Sequence, residues 1–272
     1  MPELPEVETI KNDLLPRLLG RHFTQPSVLW AKSIKKPSRK EFSNLLTGSK
    51  VSQLSRRGKY LIFQLSNGYK LIIHLRMSGT LLLRKANATP DVYARVIFGL
   101  DDGNQLRFCD VRKLGTIYLV EDEKSIIKDM GPEPLESAFI EKVLKKRLAK
   151  RTAPIKATLC DQKVVAGIGN MYADEILHEV KIHPLKKAGD LSDTEIKRIH
   201  LSIINILKTA IENKGATVSN YMNPSGQAGT AQDHFKVAHR FKKPCATCGT
   251  EITRIKVRGR GTYFCSKCQP LT

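Results

Sequence analysis

The chain has 272 residues, of which 46 are Lys or Arg and 26 are Asp or Glu, for a net charge of +20. That length suits two domains, the 41% hydrophobic share supplies a sizeable core, and the charge favours a polyanionic partner, nucleic acid above all. No apolar run approaches the ~18 residues of a spanning helix, and no secretory or lipidation signal is present, which argues against a membrane protein and predicts a reducing, cytoplasmic setting.

The first ten residues, Met1 to Ile10, are acidic in an otherwise basic chain. Pro5, Glu6 and Glu8 suit the first turn of a helix. Val7, Ile10, Leu14 and Leu18 then recur at helical spacing, and Pro16 predicts a kink or an end near Leu15. If Met1 is removed, the nitrogen of Pro2 becomes a free secondary amine. Attack by such an amine on an electrophilic sugar carbon gives a cationic iminium directly, and the adjacent C–H becomes acidic. An α-amino group titrates at about 7.7–8.0, so a useful fraction is neutral near pH 7. Glu3 beside it is placed to supply the proton that opens a sugar ring. The plain alternative is a loose terminus followed by a helix cap.

Residues 22–120 read as short strands. Tyr60–Leu65 and Lys70–Leu75 flank Ser66-Asn67-Gly68-Tyr69, a hairpin signal. Gly79–Leu83, Arg95–Phe98 and Thr116–Val120 continue the pattern, which predicts a sandwich or barrel. Asp129-Met130-Gly131-Pro132-Glu133-Pro134 is a break between domains. From Ser137 to about Lys214 the chain reads helical. Lys142, Lys145, Lys146, Arg147, Lys150, Arg151 and Lys156 form a one-sided basic run, either a solvated face or a phosphate contact. Gly167-Ile168-Gly169-Asn170 is a glycine-rich turn ahead of a helix, where backbone N–H groups can meet an anion. Residues 191–213 form a periodic helix with Ile196, Ile199, Ile203, Ile206 and Ala210 on one face. The polar stretch Gly215–Gly226 reads as a lid, a binding loop or a linker. Cys109 and Cys160 read as isolated buried fillers.

Cys245-x2-Cys248 and Cys265-x2-Cys268 are separated by sixteen residues. Four thiolates at that spacing match one tetrahedral structural Zn2+, with a disulfide pair as the alternative in an oxidising compartment. With four sulfurs the metal has no open position and is not catalytic. Between the pairs, Ile252–Val257 alternates as a strand, Arg258-Gly259-Arg260-Gly261 reads as the turn, and Thr262-Tyr263-Phe264 returns. Arg240 to Arg260 holds seven basic residues and one acid, a phosphate-facing element.

Taken together, six fragments resemble the formamidopyrimidine-DNA glycosylase family, end to end. They are Pro2–Thr9, Arg57–Leu61, His74–Gly79, Asp110–Gly115, Gly167–Glu175 and Gly259–Cys265, in order and with the four cysteines. The resemblance implies an α+β protein: an N-terminal β-sandwich with one leading helix, and a C-terminal helix–two-turn–helix domain with a four-cysteine zinc finger. The expected division is 1–128, a linker at 129–136, a helical domain at 137–235 with a lid loop near 217–226, and a finger hairpin at 236–272. Double-stranded DNA containing oxidised bases or abasic sites is the implied partner, Zn2+ the implied metal, and a monomer on the bacterial nucleoid the implied setting.

By resemblance, Pro2 is the nucleophile at C1′ of the damaged nucleotide, and Glu3 protonates the ring oxygen. Lys59 assists the first elimination, and Arg260 grips the flanking phosphates and assists the second. Asn170 is a second phosphate clamp, and His74 lies near the DNA backbone. Met77, Arg112 and Leu114 match the family's intercalating trio, which fills the gap left by an extruded nucleotide. Three departures stand out. Leu114 replaces a usual phenylalanine, and Tyr93 replaces a histidine that contacts DNA. Phe235–Arg240 lacks the usual tyrosine-glycine pair. Near residue 151 the pattern is blurred by Ala153-Pro154, so Arg151 is taken as the DNA contact and Lys150 as the fallback. The implied activity is excision of oxidised purines with strand cleavage. The alternatives are a silent damage-binding protein of the same fold and a relative acting on oxidised pyrimidines; Leu4-Pro5-Glu6-Val7 and Met77 favour the purine branch.

Overall fold

Helix α1 spans Leu4–Leu18 and continues past Pro16, so of the kink or end expected near Leu15 it does not end there. Proline removes one backbone donor, but Leu14 and Leu18 on either side are fully buried and Leu19 N–H still reaches the Leu15 carbonyl at 3.1 Å. Core burial therefore outweighs the lost hydrogen bond. The computed structural model describes residues 1–271; Thr272, the last residue of the expected finger segment, lies outside the described residues.

After α1 come β1 (Ser27–Val28), β2 (Ile34–Lys36), α2 (Arg39–Leu46), β3 (Val51–Arg57), β4 (Tyr60–Leu65), β5 (Lys70–His74), β6 (Gly79–Lys85), β7 (Ala94–Gly99), β8 (Asn104–Asp110), β9 (Thr116–Val120) and the short α3 (Lys124–Ile127). They form two sheets, ordered β1-β7-β8-β6 and β2-β9-β5-β4-β3. One core joins them, with Val7, Ile10 and Leu14 of α1 against Phe63, Leu71 and Ile73 of one sheet and Val96, Phe98 and Phe108 of the other. This is the expected sandwich with its leading helix. The β4–β5 hairpin follows its sequence signal, with Ile62 opposite Ile72 and Gly68 taking φ 86° in the turn. Helix α2 lies in a stretch read as strands. Its start was legible: Ser38 accepts the Glu41 N–H at 3.4 Å, an S-x-x-E cap.

A second set comprises α4 (Glu141–Leu148), α5 (Ile155–Leu159), α6 (Asn170–Glu179), α7 (Asp193–Glu212), β10 (Ile252–Val257) and β11 (Arg260–Cys265). The expected helical region is thus four helices with irregular chain between them. On α7 the buried stripe is Ile196, Ile199, Ser202, Ile203, Leu207 and Ala210; Ile206 is only half-buried. The β10–β11 loop is Arg258-Gly259, with φ 45° and 79°, as a type I′ turn requires. Arg260 is therefore the first residue of β11, opposite Val257, and not part of the turn.

The chain divides into two compact units, Met1–Lys128 with Asn213–Thr230, and Asp129–Glu212 with the chain from Ala231 on. The loop near 217–226, expected in the helical domain, packs in the first unit. Tyr221 is buried in the sandwich core, Ala216 N–H bonds Glu6 Oε1 at 2.8 Å, and Leu83 N–H bonds the Pro224 carbonyl at 2.8 Å. Among the described residues, no helix is long and apolar enough to cross a membrane.

Candidate active site and nucleic-acid interface

In the first unit, Pro2 and Glu3 head α1 and both are buried, Glu3 to 1% exposure. The anchor is Glu6, fully buried, which the sequence marks only as a first-turn carboxylate. One of its carboxylate oxygens accepts the Glu3 N–H at 2.7 Å and the other the Ala216 N–H at 2.8 Å. A buried carboxylate accepting two backbone donors holds its partners firmly, so the chain start and the 213–230 loop share one clamp. Farther along α1, Glu8 bonds Lys11 at 2.5 Å and Arg56 of β3 at 2.6 Å. Burial works to raise the Glu8 carboxyl, but hydrogen bonds and charge from Lys11 and Arg56 outweigh it and hold the group below its ordinary value. Arg56 leads into the tight β3–β4 hairpin, whose two loop residues are Gly58, at φ 55°, and Lys59, at 6% exposure.

The trio expected to intercalate is displayed together on two loops. Met77 is 46% and Leu114 is 44% exposed, Arg112 is exposed, and Arg112 Nη1 lies 3.1 Å from Met77 Sδ. A core position for Met77 is ruled out. Asp110, fully buried, ties the loops together. One of its oxygens accepts from Ser78 Oγ at 2.5 Å and Arg112 N–H at 3.1 Å, and the other accepts the Gly115 N–H at 2.7 Å. Asp110→Asn leaves one acceptor oxygen for three donors. We expect a stability loss of about 1–3 kcal/mol, read from urea unfolding, with faster amide exchange at Arg112 or Gly115 than in the parent.

His74, expected near the DNA backbone, is not displayed as a cation. It is 7% exposed, its Nδ1 accepts the Arg76 N–H at 2.9 Å, and its ring meets Tyr60 edge-on at 4.4 Å. Burial, then the charges of Arg76 and Lys59, lower its pKa to about 3. An unfolded histidine takes its proton near 6.5, so between those values the unfolded chain binds more protons and stability falls as pH drops. Near pH 5 that loss is about 2 kcal/mol. In His74→Asn this contribution vanishes, and the drop in urea midpoint between about pH 7 and pH 5 becomes smaller than in the parent.

Tyr93 is 48% exposed and lines a cavity of about 640 Å³ with Ser78, Asp110, Ser219, Asn220 and Met222. Ser219, Asn220 and Met222 belong to the 217–226 loop. Cys109 also lines it; burial pushes its thiol up to about 12, so it is a protonated filler rather than a nucleophile.

In the second unit, Asn170 opens α6. Its Nδ2 donates to the Gly261 carbonyl at 2.7 Å, while Oδ1 is buried without a hydrogen-bond partner. Arg260, one residue before Gly261, is exposed. The basic run divides. Lys156 is 1% exposed, pairs with Asp174 and donates to the Asn170 carbonyl at 2.7 Å; it is a structural cation and not a surface phosphate contact. Arg151 is half-exposed and bonds Asp161 at 3.2 Å, while Lys142, Lys146 and Lys150 are exposed. Glu175 was also missed. Buried, it accepts the N–H groups of Lys236, Val237 and Ala238 at 2.8–2.9 Å, so it fastens α6 to the chain entering the finger.

The sulfurs of Cys245, Cys248, Cys265 and Cys268 all lie within 4.8 Å of one another, with Cys248–Cys265 at 3.4 Å and Cys245–Cys268 at 3.9 Å. Tetrahedral Zn–S bonds of about 2.3 Å set sulfurs about 3.8 Å apart. The four thiols fit one structural zinc and are too far apart to be disulfides.

Residues 1–117 match the Formamidopyrimidine-DNA glycosylase N-terminal domain, residues 130–222 the Formamidopyrimidine-DNA glycosylase H2TH domain, and residues 242–271 a zinc finger found in FPG and IleRS. The formamidopyrimidine-DNA glycosylase of Pelotomaculum thermopropionicum is 44% identical over 273 residues, covering 99% of each chain. That of Bacillus subtilis is 42% identical over 274 residues, with the same coverage. Lactococcus lactis FPG in complex with a FAPY-dG containing DNA is similar at TM-score 0.92 and 37% identity, over 99% of this chain and 100% of that chain. The same enzyme bound to AP-site DNA is similar at TM-score 0.91, with the same identity and coverage.

Proposed function

The chain belongs to the formamidopyrimidine-DNA glycosylase family, and we propose from that premise how its own residues carry out base excision. It is a DNA glycosylase with AP lyase activity that acts on duplex DNA holding oxidised purines or abasic sites. Its zinc is structural, held by Cys245, Cys248, Cys265 and Cys268.

Removal of Met1 frees the Pro2 nitrogen. That nitrogen attacks C1′ of the extruded nucleotide, the bond from C1′ to the base breaks, and Glu3 gives its proton to the ring oxygen as the sugar opens. The resulting iminium draws electrons from C2′–H, so the 3′ phosphate leaves first and the 5′ phosphate follows. Lys59 assists the first elimination and Arg260 the second. Arg260 and Asn170 hold phosphates, with Arg151 as a further backbone contact. Met77, Arg112 and Leu114 fill the emptied stack, and Arg112 hydrogen-bonds the orphaned cytosine. Tyr93 and the 217–226 loop, walls of the 640 Å³ cavity in the first unit, receive the extruded base. His74 acts near the DNA backbone as a packed, neutral ring that supports Arg76. The protein works as a monomer in the cytoplasm, on the nucleoid.

The observation that carries this reading is the start of α1: a buried Glu3 after Pro2, fixed by a carboxylate that also holds the 213–230 loop. Excision of 8-oxoguanine opposite cytosine, compared with thymine glycol in the same duplex, tests it. We expect at least about tenfold preference for the purine lesion, a difference of about 1.4 kcal/mol in transition-state binding. Equal or reversed rates would place the enzyme with the pyrimidine relatives.

A further inference from the structure

One face of α6 is bonded to the finger along its whole length. Asn170, Asp174 and His178 stand four residues apart and so share a stripe. Asn170 donates to the Gly261 carbonyl at 2.7 Å, Asp174 accepts the Tyr263 N–H at 3.2 Å, and His178 Nε2 lies 3.5 Å from Cys245 Sγ. His178 is only 4% exposed, and its Nδ1 is buried with no partner. Neither nitrogen is engaged by a carboxylate or a carbonyl, so packing alone does not explain a polar ring there.

We propose that His178 is an outer-sphere donor to the finger's zinc, its Nε2–H bonding the metal-bound thiolate of Cys245. A zinc-bound thiolate has no proton and can only accept. The facing nitrogen therefore carries the hydrogen, and Nδ1 is left as the acceptor. His178 lines a polar cavity of about 190 Å³ with Glu179, Lys181, Lys236 and Thr247. Four thiolates on one Zn2+ carry two surplus negative charges. A donor aimed at one sulfur spreads that charge and orients the ligand. The 3.5 Å separation fits an N–H to sulfur hydrogen bond. Four sulfurs already complete the tetrahedron, so a direct bond of about 2.0 Å to the same metal is not called for. The contact makes the metal's hold on Cys245 depend on the helix that begins at Asn170.

The test compares His178→Phe, His178→Gln and the unaltered full-length protein. Zinc transfer to a colorimetric chelator is followed, together with the visible spectrum after Co2+ exchange. His178→Phe keeps the ring's bulk without the donor and should lose zinc about 10–100-fold more readily. His178→Gln restores an N–H and should recover most of that loss. All three should show the four-sulfur Co2+ spectrum, with the sulfur-to-metal band displaced in His178→Phe alone. Zinc retention by His178→Phe equal to the parent overturns the proposal. So does a three-sulfur, one-nitrogen spectrum in the parent, which would make His178 a direct ligand. If the phenylalanine variant does not fold, the glutamine variant decides: zinc retention near the parent's supports the proposal, and release 10–100-fold faster refutes it.

Discussion

A form of the protein extended by residues ahead of Pro2 excises no damaged base and cuts no abasic site, while it still binds duplex DNA. Extension turns the Pro2 nitrogen into a tertiary amide, whose lone pair is delocalised into the carbonyl. It is then no longer a nucleophile, and no side chain assigned in the first unit replaces it. The expected loss is on the order of 10^4-fold or more, the scale seen when a covalent catalyst loses its attacking atom. Pro2→Gly is the milder companion. A primary amine still attacks, but its imine must be protonated before it becomes an electron sink, so a smaller loss is expected. Single-turnover rates on 8-oxoguanine and abasic duplexes measure both. The fold should not change, because α1 is capped by Glu6 and seated by Val7, Ile10, Leu14 and Leu18, none of which depends on a free terminus.

Cys248→Ala, or removal of the metal by a strong chelator, abolishes tight binding and strand cleavage but leaves the β-sandwich folded. The finger's own apolar core is small: Val237, Cys245, Ile252 and Cys265 are its buried members. A lone two-stranded hairpin is marginal in water, and segments below about 40 residues need a metal or disulfides to fold. A structural zinc supplies about 10–16 kcal/mol in isolated finger peptides, more than such a core can replace. Without it, β11 frays and Arg260 loses its place. Amide exchange should speed up across 252–265 and stay slow across β4 and β5, and DNA affinity measured by fluorescence anisotropy should fall by about 100-fold or more. A metal-free protein with unchanged affinity would mean the finger does not hold DNA.

The metal site could be read from the sequence because two C-x2-C pairs fix four ligands by local spacing. The β4–β5 hairpin was equally plain, since Asn67-Gly68 supplies the turn and its flanks are apolar. β8 escaped notice because Arg107 interrupts it. That arginine is 3% exposed and donates to the carbonyls of Thr89 and Ala88 and to Asp91, partners set by the fold. The same holds for the buried carboxylates Glu6, Asp110 and Glu175. Glu6 accepts the N–H of distant Ala216, Glu175 those of Lys236, Val237 and Ala238, and Asp110 the hydroxyl of Ser78, and nothing in the local pattern separates them from surface acids. The burial of His74 beside Tyr60 was also not legible, because the His74–Gly79 fragment places it near the DNA backbone without saying which way its ring packs. The placement of Asn213–Thr230 in the first unit depends on Glu6 and Tyr221, through contacts that join residues more than 200 positions apart.

Borohydride reduction during reaction with an 8-oxoguanine duplex tests the central assignment most directly. The protein lacking Met1 should form a stable adduct with DNA, and peptide mapping should place the link on the nitrogen of Pro2. An adduct on a lysine, or full excision by protein that retains Met1, would contradict it.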